Sequence, residues 1–370
     1  MIKYQYWGSF RRVLNLQRYV GQNVVVGRLK LNNAVDSRTP LITKVFIRSI
    51  HYSIPPRKGP PISMKDIDYK IDDLHLDKIS MPTEKVPITL HHEVYGKNTN
   101  QSPIIFLHGF LNDGRIYSSV APQINTRTGK PCYTYDLRNH GQSGRKFPHD
   151  YQSMVEDVIY TIEKQGLKDV SLIGHSMGAK VAMLVSLKRP DLISDLIVID
   201  NSPVVNDVSK LDRMIERLLI GLCHVETQLT AKYGKDIVDY KLLYDDTVKI
   251  LRQFNINDLV IKAILPNIVV GKPHKLTASV LPFMKYDVRS KLGDWPVSYL
   301  QPLKKLDKPT LVIRAKRSRY INDDNLTNDY PKYFNDLTVT EMNTGHFAFV
   351  EHPTQFVKIV SEFLNRPKAS

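Results

Sequence analysis

Gly174-His175-Ser176-Met177-Gly178 stands between an apolar run, Asp169 to Ile173, and a helix-forming run, Ala179 to Lys188. A G-x-S-x-G pentapeptide between a strand and a helix has the layout of a nucleophile elbow. The reason is steric. A serine at the tip of so tight a turn sits under backbone strain, and glycines two residues before and after leave room for it. Its hydroxyl then stands clear of the sheet, and the following helix aims N-terminal N–H groups at the same spot. The other reading, a chance Gly-Ser-Gly turn, does not account for the strand and helix on either side.

Outward from the pentapeptide, short apolar strands alternate with helices. Val86 to Tyr95 reads as an early antiparallel strand. Pro103 to Leu107 is a short buried strand running into His108-Gly109-Phe110-Leu111. Cys132 to Tyr135 is the next, running into Asp136-Leu137-Arg138-Asn139-His140-Gly141-Gln142-Ser143. Asp150 to Gln165 has helical spacing with Gly166 as its stop. Leu196 to Ile199 is a further strand, ending at Asp200-Asn201-Ser202-Pro203. This pattern predicts an α/β fold, a mostly parallel sheet covered by helices on both faces.

From about Val205 to Leu306 the alternation stops. Leu211 to Leu222 and Tyr240 to Phe254 are helical, and no convincing buried strand is present. The pattern resumes with Pro309 to Ile313, Leu337 to Val339 and a last helix, Pro353 to Leu364. Residues 205–306 are therefore expected to form a helical cap over the carboxyl ends of the strands, where open α/β sheets bind ligands. It separates a first core part, 61–204, from a last, 307–370. Leu218, Leu219, Leu222, Val280, Leu281 and Phe283 are candidates for an apolar cap pocket.

The formal net charge of +15 is unevenly placed. Residues 1–58 hold eleven Lys/Arg and one acid, Asp36, while the other 312 residues hold 41 basic and 36 acidic ones. An Arg-rich, acid-poor arm with Ser9, Ser37, Thr39, Thr43, Ser49 and Ser53 matches a mitochondrial presequence. Residues 1–60 are read as that presequence and its linker, with the mitochondrial import machinery as partner. A disordered basic tail and a nucleic-acid-binding arm are the alternatives. The boundary lies at Pro55-Pro56-Arg57-Lys58-Gly59-Pro60-Pro61, where prolines stop regular structure. The folded part has no basic concentration, which argues against nucleic acid. No run of about 18 apolar residues suggests a transmembrane segment. Cys132 and Cys223 suggest neither a disulfide framework nor a zinc site.

A serine needs a base in hydrogen-bond reach, itself oriented by an acid. The chain order for this layout is Ser, acid, His. His346, in Asn343-Thr344-Gly345-His346-Phe347 between the last strand and the last helix, is the base. His175 and His108 are framework, and His91, His92, His224, His274 and His352 have no supporting motif. The usual acid position, after Leu311-Val312-Ile313, holds Ser318. Asp323 and Asp324 follow five and six residues later. Asp200, 24 residues after Ser176 at the end of the adjoining strand, is the preferred acid. The oxyanion hole is assigned to the N–H of Met177 and that of Phe110, with Leu111 as the alternative to Phe110. Asp136, Arg138, His140 and Ser143 are read as pins of a loop near the site.

Together, His108-Gly109-Phe110, Asp136 to Ser143, Gly174 to Gly178 and Gly345-His346 resemble the α/β-hydrolase superfamily. Asp200 within Val198 to Pro203, and Trp295-Pro296, resemble one branch of it: short-chain bacterial esterases, a mitochondrial abhydrolase of animals and the yeast ethanol acetyltransferases. The resemblance covers roughly Lys85 to Arg366. In that branch the acid stands where Asp200 stands here. Ala179 departs from the second glycine of many relatives, which bears on helix packing. The resemblance implies ethyl acetate formation from acetyl-CoA and ethanol, with esterase and thioesterase side activity. A mitochondrial serine esterase or thioesterase is the alternative, and a non-catalytic binding protein would not need serine, histidine and acid together. Substrates would be acetyl-CoA or short acyl esters, ethanol and water. No metal constellation and no dinucleotide fingerprint is present, so no cofactor is expected.

Overall fold

A computed structural model describes residues 80–97, 101–206, 208–233, 240–270, 275–276, 281–286 and 288–367. The basic arm and the proline-rich boundary lie outside the described residues. Seven strands form one sheet in the order β1-β3-β2-β4-β5-β8-β9. They are β1 (His92–Tyr95), β2 (Ile104–Leu107), β3 (Cys132–Tyr135), β4 (Val170–His175), β5 (Ile193–Ile199), β8 (Thr310–Ala315) and β9 (Leu337–Met342). Only β1 runs antiparallel, against β3; the other neighbours are parallel.

The short apolar strands are buried on both sides because alternate residues enter two different cores. In β2, Ile105 and Leu107 join a cluster with α2 (Tyr151–Lys164) and α3 (Met177–Lys188). Ile104 and Phe106 point the other way, to α1 (Ala121–Thr128) and α10 (Pro353–Leu364). In α10 the core contacts are Phe356, Val357, Val360 and Leu364, one helical stripe. At the start of α2, Asp150 is the N-cap and its carboxylate accepts the Ser153 N–H at 2.8 Å.

The first strand is shorter than its residue pattern predicts. The stretch from Val86 does not join the ladder until His92. Its main chain is claimed by side chains of α2: the Ile88 N–H donates to Asp157 Oδ1 at 2.7 Å and the Leu90 N–H to Thr161 Oγ1 at 3.0 Å. Pro87 removes one more donor.

Between β5 and β8 the chain runs through α4 (Val208–Tyr233), α5 (Tyr240–Gln253), α6 (Asp258–Ile268), α7 (Leu281–Lys285) and α8 (Val288–Gly293). The only strands among the described residues of this insertion are a pair of two residues each, β6 (Val269–Val270) and β7 (Lys275–Leu276). Leu218, Leu219, Leu222 and Phe283 are buried. Val280 and the side chain of Leu281 lie outside the described residues. No described helix is long and apolar enough to cross a membrane. The last helices are α9 (Ala348–Glu351) and α10.

Candidate active site

Ser176 sits between β4 and α3 with φ 54° and ψ −117°, a conformation side chains rarely adopt. From Val170 to Leu187 every residue is buried except Ser176. The turn is this tight because its glycines allow it. A Cβ on Gly174 would lie 2.2 Å from the Gly178 carbonyl oxygen, and one on Gly178 would lie 2.3 Å from that of Leu107. The Ser176 N–H donates to the Ile199 carbonyl at 3.1 Å, and its own carbonyl accepts the Asn201 side-chain amide at 2.9 Å.

Asp200 closes β5, fully buried and with φ 48°. Its Oδ2 holds His346 Nδ1 at 2.7 Å, and its Oδ1 accepts the Ala315 N–H at 3.3 Å. A carboxylate on Nδ1 fixes the proton there and leaves the lone pair on Nε2. The His346 carbonyl accepts His175 Nε2–H at 2.8 Å, so the loop is tied to the residue beside Ser176. Tyr320 stacks on the imidazole with ring centroids 4.2 Å apart and 20° between planes. Burial, then the charge of Asp200, raises the Tyr320 hydroxyl above its ordinary range and keeps it neutral. Glu351 braces the same loop: it accepts the Gly345 N–H at 2.8 Å and pairs with Arg317.

The alternative acids are elsewhere. Asp323 is exposed and paired with Arg314, and Asp324 bonds Asn328. Ser318 Oγ accepts the Tyr320 N–H at 3.4 Å. Of the three carboxylates weighed from the sequence, Asp200 is the one that meets His346.

On the other side of Ser176 lies the loop after β2. A Cβ on Gly109 would fall 3.2 Å from the Ser176 Cβ, a measure of how close this loop runs. Two buried histidines pin it. His108 Nδ1–H donates to the Gly109 carbonyl at 2.8 Å, and its Nε2 accepts the Leu137 N–H at 2.9 Å. His140 Nδ1–H donates to the Arg138 carbonyl at 2.9 Å, and its Nε2 accepts the Leu111 N–H at 3.0 Å. Each is therefore a neutral imidazole, and burial lowers the pKa of both. Of the two N–H groups weighed from the sequence in this loop, that of Leu111 is committed to His140, which leaves Phe110 as the candidate donor. Among the described residues no protein acceptor is recorded for the N–H of Phe110 or of Met177.

The polar cluster after β3 is a set of pins, as its residue types suggest. Asp136 accepts the Gly114 N–H at 2.7 Å and the Gln142 N–H at 2.8 Å, and Ser143 Oγ donates to the Asp136 carbonyl. Arg138 forms a fully buried two-pronged ion pair with Asp157, at 2.5 and 2.7 Å. Above them, Phe110 meets Phe283 of the insertion edge-on, centroids 5.3 Å apart. His149 is packed among Phe110, His140 and Phe283, and burial pushes its pKa down to about 3.

Sequence reasoning missed Asn201, Tyr320 and Glu351. Asn201 was signalled by its place beside Asp200; Tyr320 and Glu351 carry no local signal. Among the described residues no group of side chains could hold a metal ion.

A parallel sheet with a strained serine after its central strand, a histidine–carboxylate pair at the neighbouring strand ends and a helical insertion before β8 define an α/β-hydrolase architecture. Residues 102–221 match the family described as the alpha/beta hydrolase fold. The chain belongs to the α/β-hydrolase family. It is similar to ethanol acetyltransferase 1 of Kluyveromyces lactis, 31% identical over 319 residues that cover 82% of this chain and 81% of that protein. Ethanol acetyltransferase 1 of Cyberlindnera jadinii is 29% identical over 332 residues, 86% of this chain and 90% of that one. Among solved structures, a marine microorganism esterase matches with a TM-score of 0.60 and 23% identity, covering 75% of this chain and 99% of that one. That likeness bears on the fold.

Proposed function

We propose that this protein is a serine-dependent alcohol acyltransferase that forms ethyl acetate from acetyl-CoA and ethanol through an acyl-enzyme. The observation that carries the chemistry is the 2.7 Å contact from His346 Nδ1 to the buried Asp200, in a site where Ser176 is the one residue between Val170 and Leu187 that reaches solvent. The similarity to the ethanol acetyltransferases supports the choice of acceptor.

In the proposed reaction Ser176 Oγ attacks the thioester carbon while His346 Nε2 takes its proton. The Phe110 and Met177 N–H groups receive the developing oxyanion. The C–S bond breaks, and His346 returns the proton to the departing thiolate. Ethanol then gives its proton to Nε2 as its oxygen bonds the acyl carbon. The bond to Ser176 Oγ breaks, and the proton goes back to the serine. Coenzyme A is thus a leaving group, and no bound cofactor takes part.

The insertion serves as a cap in this reading, its Phe283 resting on Phe110 beside the oxyanion loop. An apolar cap distinguishes ethanol from water by one ethyl group, worth about 1–3 kcal/mol. That does not abolish hydrolysis, so esterase and thioesterase side activity accompanies transfer. The test is to give the full chain acetyl-CoA with and without ethanol and to measure ethyl acetate against free acetate. Ethyl acetate that appears only with ethanol supports the reading; acetate at an unchanged rate with no ethyl acetate leaves a hydrolase.

The basic arm is proposed as a mitochondrial import signal, on its composition. A full chain carrying a reporter is expected in mitochondria, and Arg11→Glu, Arg12→Glu and Arg18→Glu together should leave it in the cytosol. A wild-type chain that stays cytosolic sinks this part.

A further inference from the structure

Helix α3 contains one charge inside an apolar run, Lys180, and it is fully buried. A buried ammonium without a carboxylate partner is costly unless all its hydrogens find acceptors. All three do. Nζ donates to the carbonyls of Val204 at 2.8 Å, Gly293 at 3.0 Å and Asp294 at 2.8 Å. Val204 lies where the chain leaves the sheet for the insertion, and Gly293 and Asp294 lie where the insertion ends. One cation on the helix that begins beside Ser176 therefore holds both stems.

The surroundings reinforce the same junction. The Gly293 carbonyl also accepts the Asn206 N–H at 2.8 Å, joining one stem to the other. Tyr151 of α2 donates to the Leu292 carbonyl at 2.8 Å and turns its ring to the ammonium, 5.5 Å from centroid to Nζ. Asn201, between Asp200 and the first stem, donates to the Ser176 carbonyl. The ionisable groups facing Nζ are Tyr151 and Asp294; burial lowers the lysine's pKa, and the Asp294 charge works against that shift.

We propose that Lys180 is a positioning residue that clasps both stems of the insertion to the nucleophile helix and thereby fixes the insertion over Ser176. Without the clasp the insertion opens more often and water reaches the acyl-enzyme. This last consequence rests on the proposed acyl transfer; the clasp itself does not.

The test uses the full chain and two variants, Lys180→Met, which removes all three donors, and Lys180→Gln, which keeps an uncharged amide. Amide hydrogen exchange in α4, α5 and α6 should speed about tenfold in Lys180→Met and less in Lys180→Gln, with β4, β5 and β8 within about twofold of wild type. The ratio of ethyl acetate to acetate should fall several-fold, while hydrolysis of p-nitrophenyl acetate, which needs no acceptor alcohol, persists. Unchanged exchange in the insertion of Lys180→Met overturns the proposal. So does loss of protection in sheet and insertion together in both variants, since the lysine would then hold the whole fold. If wild type makes no ethyl acetate, the transferase reading fails, and the exchange result still decides the clasp.

Discussion

Two loops flank Ser176, and both are built on histidine. On one side His346 is part-exposed and held by a buried carboxylate. On the other, His108 and His140 are buried and bonded to main-chain groups at both nitrogens. The chemistry of the residue is the same; its partners decide its role. A carboxylate on one nitrogen frees the other to carry protons. Main-chain bonds on both nitrogens lock the ring as a neutral strut.

The largest expected effect breaks the difference at its source. Asp200→Asn keeps an oxygen for the Ala315 N–H but can offer an amide to His346 Nδ1, favouring the wrong tautomer. Its kcat/KM for p-nitrophenyl acetate should fall by about 10⁴, with unchanged circular dichroism. A near-normal rate would return the acid to Asp323 or Asp324.

The second effect is on stability, from the strut side. His108, His140 and His149 have pKa values lowered by burial, that of His149 to about 3. The unfolded chain binds protons on these rings near pH 6.5, before the folded one does. Stability is therefore full above pH 6.5 and is lost as pH falls toward about 3. Denaturant midpoints across that range should show the loss, and His149→Asn should flatten part of it. Equal slopes in variant and wild type would take His149 out of the account.

A smaller effect should follow from His140→Ala, which leaves the buried Leu111 N–H without its acceptor. The expected cost is about 1–3 kcal/mol of stability. The loop that carries Phe110 should also shift, lowering kcat more than it raises KM. Least of all, Tyr320→Leu removes the ring stacked on His346 and should cost about 0.5–1.5 kcal/mol in kcat/KM. These two variants sharpen the contrast: one strut gone harms stability first, one stacking partner gone harms rate alone.

Much of the fold was legible because its signals are local. The elbow glycines, the apolar strands and the helical spacing of 150–165 each sit within a few residues. That Asp200 is the carboxylate beside His346 was legible by elimination, once Ser318 occupied the usual position. The start of β1 was not, because Ile88 and Leu90 spend their N–H groups on Asp157 and Thr161, some seventy residues away. Tyr320 and Glu351 were hidden for the same reason: their partners lie on other loops. Lys180 was passed over in the sequence, because its three carbonyl acceptors come from chain segments 24, 113 and 114 residues distant.

The most direct test of the central claim is to find where the acetyl group rests. The full chain is mixed briefly with acetyl-CoA, quenched in acid and digested, and the labelled peptide is identified by mass spectrometry. We predict one acetyl group on Ser176, discharged as ethyl acetate when ethanol is added before the quench and absent from Ser176→Ala. Ethyl acetate formed at the wild-type rate by Ser176→Ala would contradict the account.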